Sequence, residues 1–92
     1  MKKYYTYIAR CSDDSLYTGY CVDLKEREEK HNLGEGARYT RARRPIQMVY
    51  HEEYPTRSEA MRREYEIKTW SRKKKEELLK KSAKKTANKK KK

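Results

Sequence analysis

Five side chains carry the chemistry this sequence has to offer: Tyr7, Tyr17, Arg27, His31 and Glu64. Tyr7 sits in an alternating apolar run, and Tyr17 opens a second run that closes with Thr18-Gly19. Arg27 and His31 stand one helical turn apart. Two phenols, a guanidinium and an imidazole on three neighbouring elements are able to converge on one small site. Glu64 falls between Ala60 and Ile67 on the inward stripe of a later helix, where a carboxylate costs desolvation unless something pairs with it. Plain structural roles stay open beside these. Tyrosine favours strands, an i,i+4 pair is ordinary on a solvated helix face, and Glu64 is also placed to form a salt bridge, to an arginine such as Arg27.

The elements that must position these groups follow from pattern. Residues 4–11 are rich in Tyr, Thr and Ile, which suits a strand. Ser12-Asp13-Asp14-Ser15 is a turn cluster, and Leu16 to Cys21 is the returning strand. Asp23 and Glu26 have capping-box spacing and open a helix to about Asn32. Leu33-Gly34-Glu35-Gly36 is a link. The segment 37–44 then holds Arg38, Arg41, Arg43 and Arg44 with Tyr39 among them and no acid, a basic loop suited to phosphate contacts. Ile46 to Tyr54 alternates through Ile46, Met48 and Tyr50 as a third strand. Thr56 and Glu59 form a second capping box, opening a helix to about Trp70, and Ser71 caps a last helix through Leu78-Leu79. The order β-β-α-β-α-α predicts an α+β fold, a three-stranded, mostly antiparallel sheet flanked by helices.

Composition bounds the rest. Ninety-two residues make one small domain near the lower limit for a self-sufficient core. Nine tyrosines and no phenylalanine make that core one of rings with polar tips. The net charge of +12 is uneven: residues 71–92 carry +10 and residues 1–70 only +2. We therefore divide the chain into a domain over 1–81 and a basic tail over 82–92, which has nothing to bury and is expected to be disordered. Such charge points to nucleic acid or another polyanion. No apolar run approaches the ~20 residues of a membrane span, and the N-terminus does not have a signal-peptide pattern. A cytoplasmic protein is expected. Cys11 and Cys21 lie at opposite ends of the hairpin, too far apart for a disulfide, and are read as free thiols. Together with His31 and His51 they match no compact zinc module.

At these residues the chain resembles the GIY-YIG nuclease domain in its small stand-alone prokaryotic form. Tyr5-Thr6-Tyr7 corresponds to the family's first tripeptide and Tyr17-Thr18-Gly19 to its second, with Arg27, His31 and Glu64 in order downstream. Tyr5 stands where glycine is usual, and Thr6 and Thr18 replace aliphatic residues. The resemblance covers roughly residues 4–80. It implies Tyr7 as general base, Tyr17 orienting water or substrate, Arg27 and His31 as further catalytic residues, and Glu64 as ligand of a Mg²⁺ (or Mn²⁺) ion.

The implied activity is endonucleolytic hydrolysis of phosphodiester bonds, on DNA rather than RNA, guided by nucleic-acid shape or by a partner protein. Free tyrosine titrates near ~10, so a tyrosine base is expected to need nearby positive charge. Two other classes compete. A non-cutting binding module would use the same fold and its basic residues. A basic RNA- or ribosome-associated protein would explain the tail and the arginines, but not Glu64.

Overall fold

Alternation along one strand decides the architecture. In the computed structural model β1 (Tyr4–Arg10) lies between β2 (Leu16–Cys21) and β3 (Gln47–Tyr54), antiparallel to both. As the central strand it is covered on both faces, and Thr6, Tyr7, Ile8 and Ala9 are all buried. Thr6 points to one face, where its hydroxyl donates to the Ala60 carbonyl of α3 (Arg57–Lys68) at 2.7 Å. Tyr7 and Ala9 point to the other, into a cluster with Cys11, Cys21 and Ile46, against which Tyr17, Leu24 and Met48 pack. Leu24 opens α1 (Leu24–Asn32), so α1 and α3 cover opposite faces. The structure describes residues 2–82 in full and, beyond them, only the backbone course of α4 (Arg72–Lys91). The expectation of a disordered tail falls on residues of which, Ser82 apart, no more than that backbone course is described.

Local signals act where they stand. Asp23 caps α1 by accepting from the Glu26 amide at 3.0 Å, and Thr56 caps α3 by accepting from the Glu59 amide at 3.2 Å. Each such cap is worth about 1 kcal/mol. α1 is then pinned to β3 by side chains. Asn32 exchanges two hydrogen bonds with the Ile46 backbone, 2.6 and 3.0 Å, and Glu28 accepts from the Met48 amide at 2.8 Å.

Four expectations change. The arginine segment is not all loop, because Arg38–Arg41 forms a short helix, α2. α3 ends at Lys68, short of Trp70, and α4 continues beyond Leu79. The alternation Ile46, Met48, Tyr50 does not keep one face. Ala9 pairs with Met48 but Ile8 with Tyr50, so Val49 is an extra residue, a bulge. Tyr50, Glu52 and Tyr54 thereby turn to the α3 side. There Glu52 accepts from both tyrosine hydroxyls and from Arg63. Among the described residues no helix is long and apolar enough to cross a membrane. Cys11 and Cys21 are free and buried.

Candidate active site

Tyr7 is placed by the central strand and by a glycine. Its register partner on β2 is Gly19, and the phenol passes directly over it. A Cβ at Gly19 would stand 2.6 Å from Tyr7 Oη and 2.8 Å from its Cζ. The phenol ends against His31 of α1, with Oη 2.8 Å from Nε2. His31 is 1% exposed, and its Nδ1 lies 2.8 Å from the Thr40 hydroxyl of α2. Tyr17 completes an aromatic cluster, edge-on to His31 at 5.5 Å and stacked on Tyr39 at 6.0 Å.

A cavity of about 450 Å³ brings together Tyr7, Tyr17, Gly19, Arg27, Arg57 and Glu64. Four of the five residues singled out by sequence thus line one space. His31 is the fifth. It is reached through Tyr7 and lines an adjoining recess with Tyr17 and Arg27. Arg27 is steadied by a 3.4 Å hydrogen bond to the Tyr20 carbonyl at the end of β2. Glu64 does not pair with Arg27. Its partner is Lys68 of the same helix, at 3.4 Å, and its side chain is 18% exposed. Lys68 also sits 5.9 Å above the Tyr17 ring.

The electrostatics of the site disfavour a resting phenolate. Burial raises the Tyr7 pKa, and Arg27 beside it only partly opposes the rise. Resting Tyr7 is a phenol, not a phenolate, because desolvation of the charged form outweighs the neighbouring guanidinium. Burial and then Arg27 lower the His31 pKa, so the imidazole is neutral at pH 7.

The arginine segment divides. Arg43 pairs with Asp13 at 3.1 Å, donates to the Tyr39 carbonyl and lies 3.9 Å over the Tyr39 ring. Arg44 donates to the Arg41 and Asn32 carbonyls. Arg38 and Arg41 are exposed, and among the described residues their side chains make no ion pair. Sequence reasoning missed Thr40 and Lys68. Only Lys68 had a legible signal, its i,i+4 spacing from Glu64.

A family model, the GIY-YIG catalytic domain, matches residues 3–77. The chain belongs to the GIY-YIG family. It is 59% identical to a UPF0213 protein of Staphylococcus aureus over 75 residues, 82% of this chain and 92% of the relative. A UPF0213 protein of Staphylococcus saprophyticus is 60% identical over the same shares. Two solution NMR structures are similar. A UPF0213 protein from Bacillus halodurans is 49% identical, with a TM-score of 0.55 over 85% of this chain and 83% of that one. A protein from E. faecalis is 40% identical, with a TM-score of 0.60 over 90% and 88%. The GIY-YIG family is one of nucleases, which points to a nucleic-acid substrate.

Proposed function

We propose that this GIY-YIG domain is a metal-dependent endonuclease that hydrolyses phosphodiester bonds of DNA, directed by shape rather than by sequence. The observation that carries this reading is the 2.8 Å contact between Tyr7 Oη and His31 Nε2, beside a cavity that Arg27 and Glu64 also line. Hydrolysis needs a water relieved of its proton and a counter-charge for the phosphoryl oxygens. Tyr7 Oη takes a proton from the attacking water as its own proton passes to His31 Nε2. The water oxygen bonds to phosphorus, the P–O bond to the leaving sugar oxygen breaks, and that oxygen takes a proton from solvent. No free phenolate has to exist at rest, which agrees with the raised Tyr7 pKa. Neutral His31 is the terminal acceptor. Arg27 offers a planar fork of donors to the phosphoryl oxygens, and Tyr17 orients water or substrate. Arg38 and Arg41 suit backbone phosphates, contacts that position a duplex without reading bases.

Among the described residues no three His, Cys, Asp or Glu side chains group to hold a metal. Glu64 alone, part-buried at the cavity, fits Mg²⁺ or Mn²⁺. Mg²⁺ keeps several waters and is commonly held by one or two carboxylates and a substrate phosphate. When bound there it would neutralise charge developing on the phosphoryl group.

One observation favours a second reading, a non-cutting binding module: Lys68 already neutralises Glu64. A panel of duplex, flap, junction and single-stranded DNA, with an RNA duplex, tested with Mg²⁺ or Mn²⁺ separates the two. Cleavage of a DNA member by wild type, lost in Tyr7→Phe and Glu64→Gln while binding persists, supports the nuclease. Binding without cleavage of any member leaves the module as the account.

A further inference from the structure

Thr40 on α2 is fully buried, and the scheme above does not use it. Its hydroxyl oxygen lies 2.8 Å from His31 Nδ1 and 2.9 Å from the Ala37 carbonyl oxygen. Two oxygens so close need a hydrogen between them, and a carbonyl carries none. The single hydroxyl hydrogen of Thr40 therefore lies on the Ala37 side. The hydroxyl meets His31 with a lone pair, and the hydrogen in that contact comes from Nδ1. In a neutral ring Nε2 is then bare. The 2.8 Å bond at Nε2 must be donated by the Tyr7 phenol.

The ring has little freedom to turn over. A Cβ at Gly36 would overlap its Nδ1 edge, and Tyr7 and Tyr17 close on it edge-on at 6.1 and 5.5 Å. The α2 segment is itself tied to the β1–β2 turn. Arg43 pairs with Asp13, and the Ser12 amide donates to the Arg43 carbonyl at 2.9 Å.

We propose that Thr40 is a positioning residue that fixes His31 in the Nδ1–H tautomer, which makes Nε2 the acceptor for the Tyr7 proton. The catalytic consequence rests on the relay argued above, whereas the tautomer stands without any substrate. With the hydrogen on Nε2 instead, the imidazole would donate to Tyr7. The phenol would then have no acceptor, and the attacking water would keep its proton.

The test reads the ring directly. In protein labelled with ¹⁵N in histidine, without metal or substrate, nitrogen shifts and long-range couplings report which nitrogen is protonated. His51→Gln assigns the His31 signals. Wild type at neutral pH is expected to show His31 as Nδ1–H; an Nε2–H ring or an even mixture overturns the proposal. Thr40→Ser is expected to keep the tautomer, and its loss there counts against the hydroxyl as its cause. Thr40→Val removes the lone pair in nearly the same space and is expected to move the hydrogen to Nε2. An unchanged Nδ1–H ring in folded Thr40→Val overturns the proposal. Should that variant not fold, Thr40→Ala is read in the same way. In cleavage, Thr40→Val is expected to lower kcat on the order of 10²-fold with KM little changed, and Thr40→Ser to restore most of it. The expected tautomer in a protein that cuts nothing would sink the nuclease reading and leave the role of Thr40 in setting the tautomer standing. The wrong tautomer in a protein that cuts would do the reverse.

Discussion

Glu64 Oε2 lies 3.4 Å from Lys68 Nζ, one turn further along α3. The ammonium occupies the carboxylate that the proposed metal would need, so the two cations compete. Lys68 is about half exposed, and such a pair is worth only up to ~1 kcal/mol. Lys68→Ala should therefore tighten Mg²⁺ binding by up to about fivefold, measured by calorimetric titration of the free protein. Glu64→Gln should abolish that binding while leaving the unfolding midpoint nearly unchanged. Mg²⁺ affinity unchanged in Glu64→Gln would show that Glu64 is not the ligand.

Gly19 is a test of packing at the site. Gly19→Ala drives a methyl into the buried Tyr7 ring, with Tyr17 Cε2 also only 3.1 Å away. Overpacking of this kind costs roughly 1–3 kcal/mol. Urea unfolding should show that loss. The Tyr7–His31 hydrogen bond should weaken with it, read from the His31 nitrogen shifts. Unaltered stability and shifts would mean that the ring moves aside freely.

His31 makes stability depend on pH in a stated direction. Its folded pKa lies below the ordinary 6.5, chiefly through burial. The unfolded chain therefore binds the proton more readily. The contribution is fully present above pH 6.5 and is lost as pH falls from there through the folded value. Within that window stability should fall by up to about 1.4 kcal/mol per pH unit. His31→Gln should flatten this part of the curve, as followed by thermal melts at constant ionic strength. The same slope in the variant would assign the effect to other groups.

The arginines should separate into two behaviours. Removing Arg38 and Arg41 should weaken DNA binding alike for all sequences. The salt dependence should become shallower by about one unit of slope for each phosphate no longer neutralised. Arg43→Ala should instead destabilise the fold by about 1 kcal/mol, because it removes both an exposed ion pair and the stacking on Tyr39. A salt slope untouched by the Arg38/Arg41 double variant would remove these residues from the interface.

The sequence by itself determined what is short-range. The two capping boxes set the starts of α1 and α3, because a cap needs only a side chain and an amide three residues on. The β1 alternation and the paired tripeptides placed Tyr7 and Tyr17, and the helix period put Arg27 over the site. Tertiary structure decided what depends on register and on hydrogen-bond direction. The Val49 bulge turned Tyr50 away from the face of Met48, since a strand's period says nothing about where its partner slips. The Glu64–Lys68 pair, by contrast, is local, since a neighbour one turn away in the same helix is within reach whatever the rest of the fold does. The partner of His31 was hidden altogether. Thr40 lies in a run read for its arginines and Tyr39, and nothing in its spacing says that its one proton goes to Ala37 and its lone pair to an imidazole. That direction exists only once three elements are packed together, because a hydroxyl takes its role from whichever partners the fold brings to it.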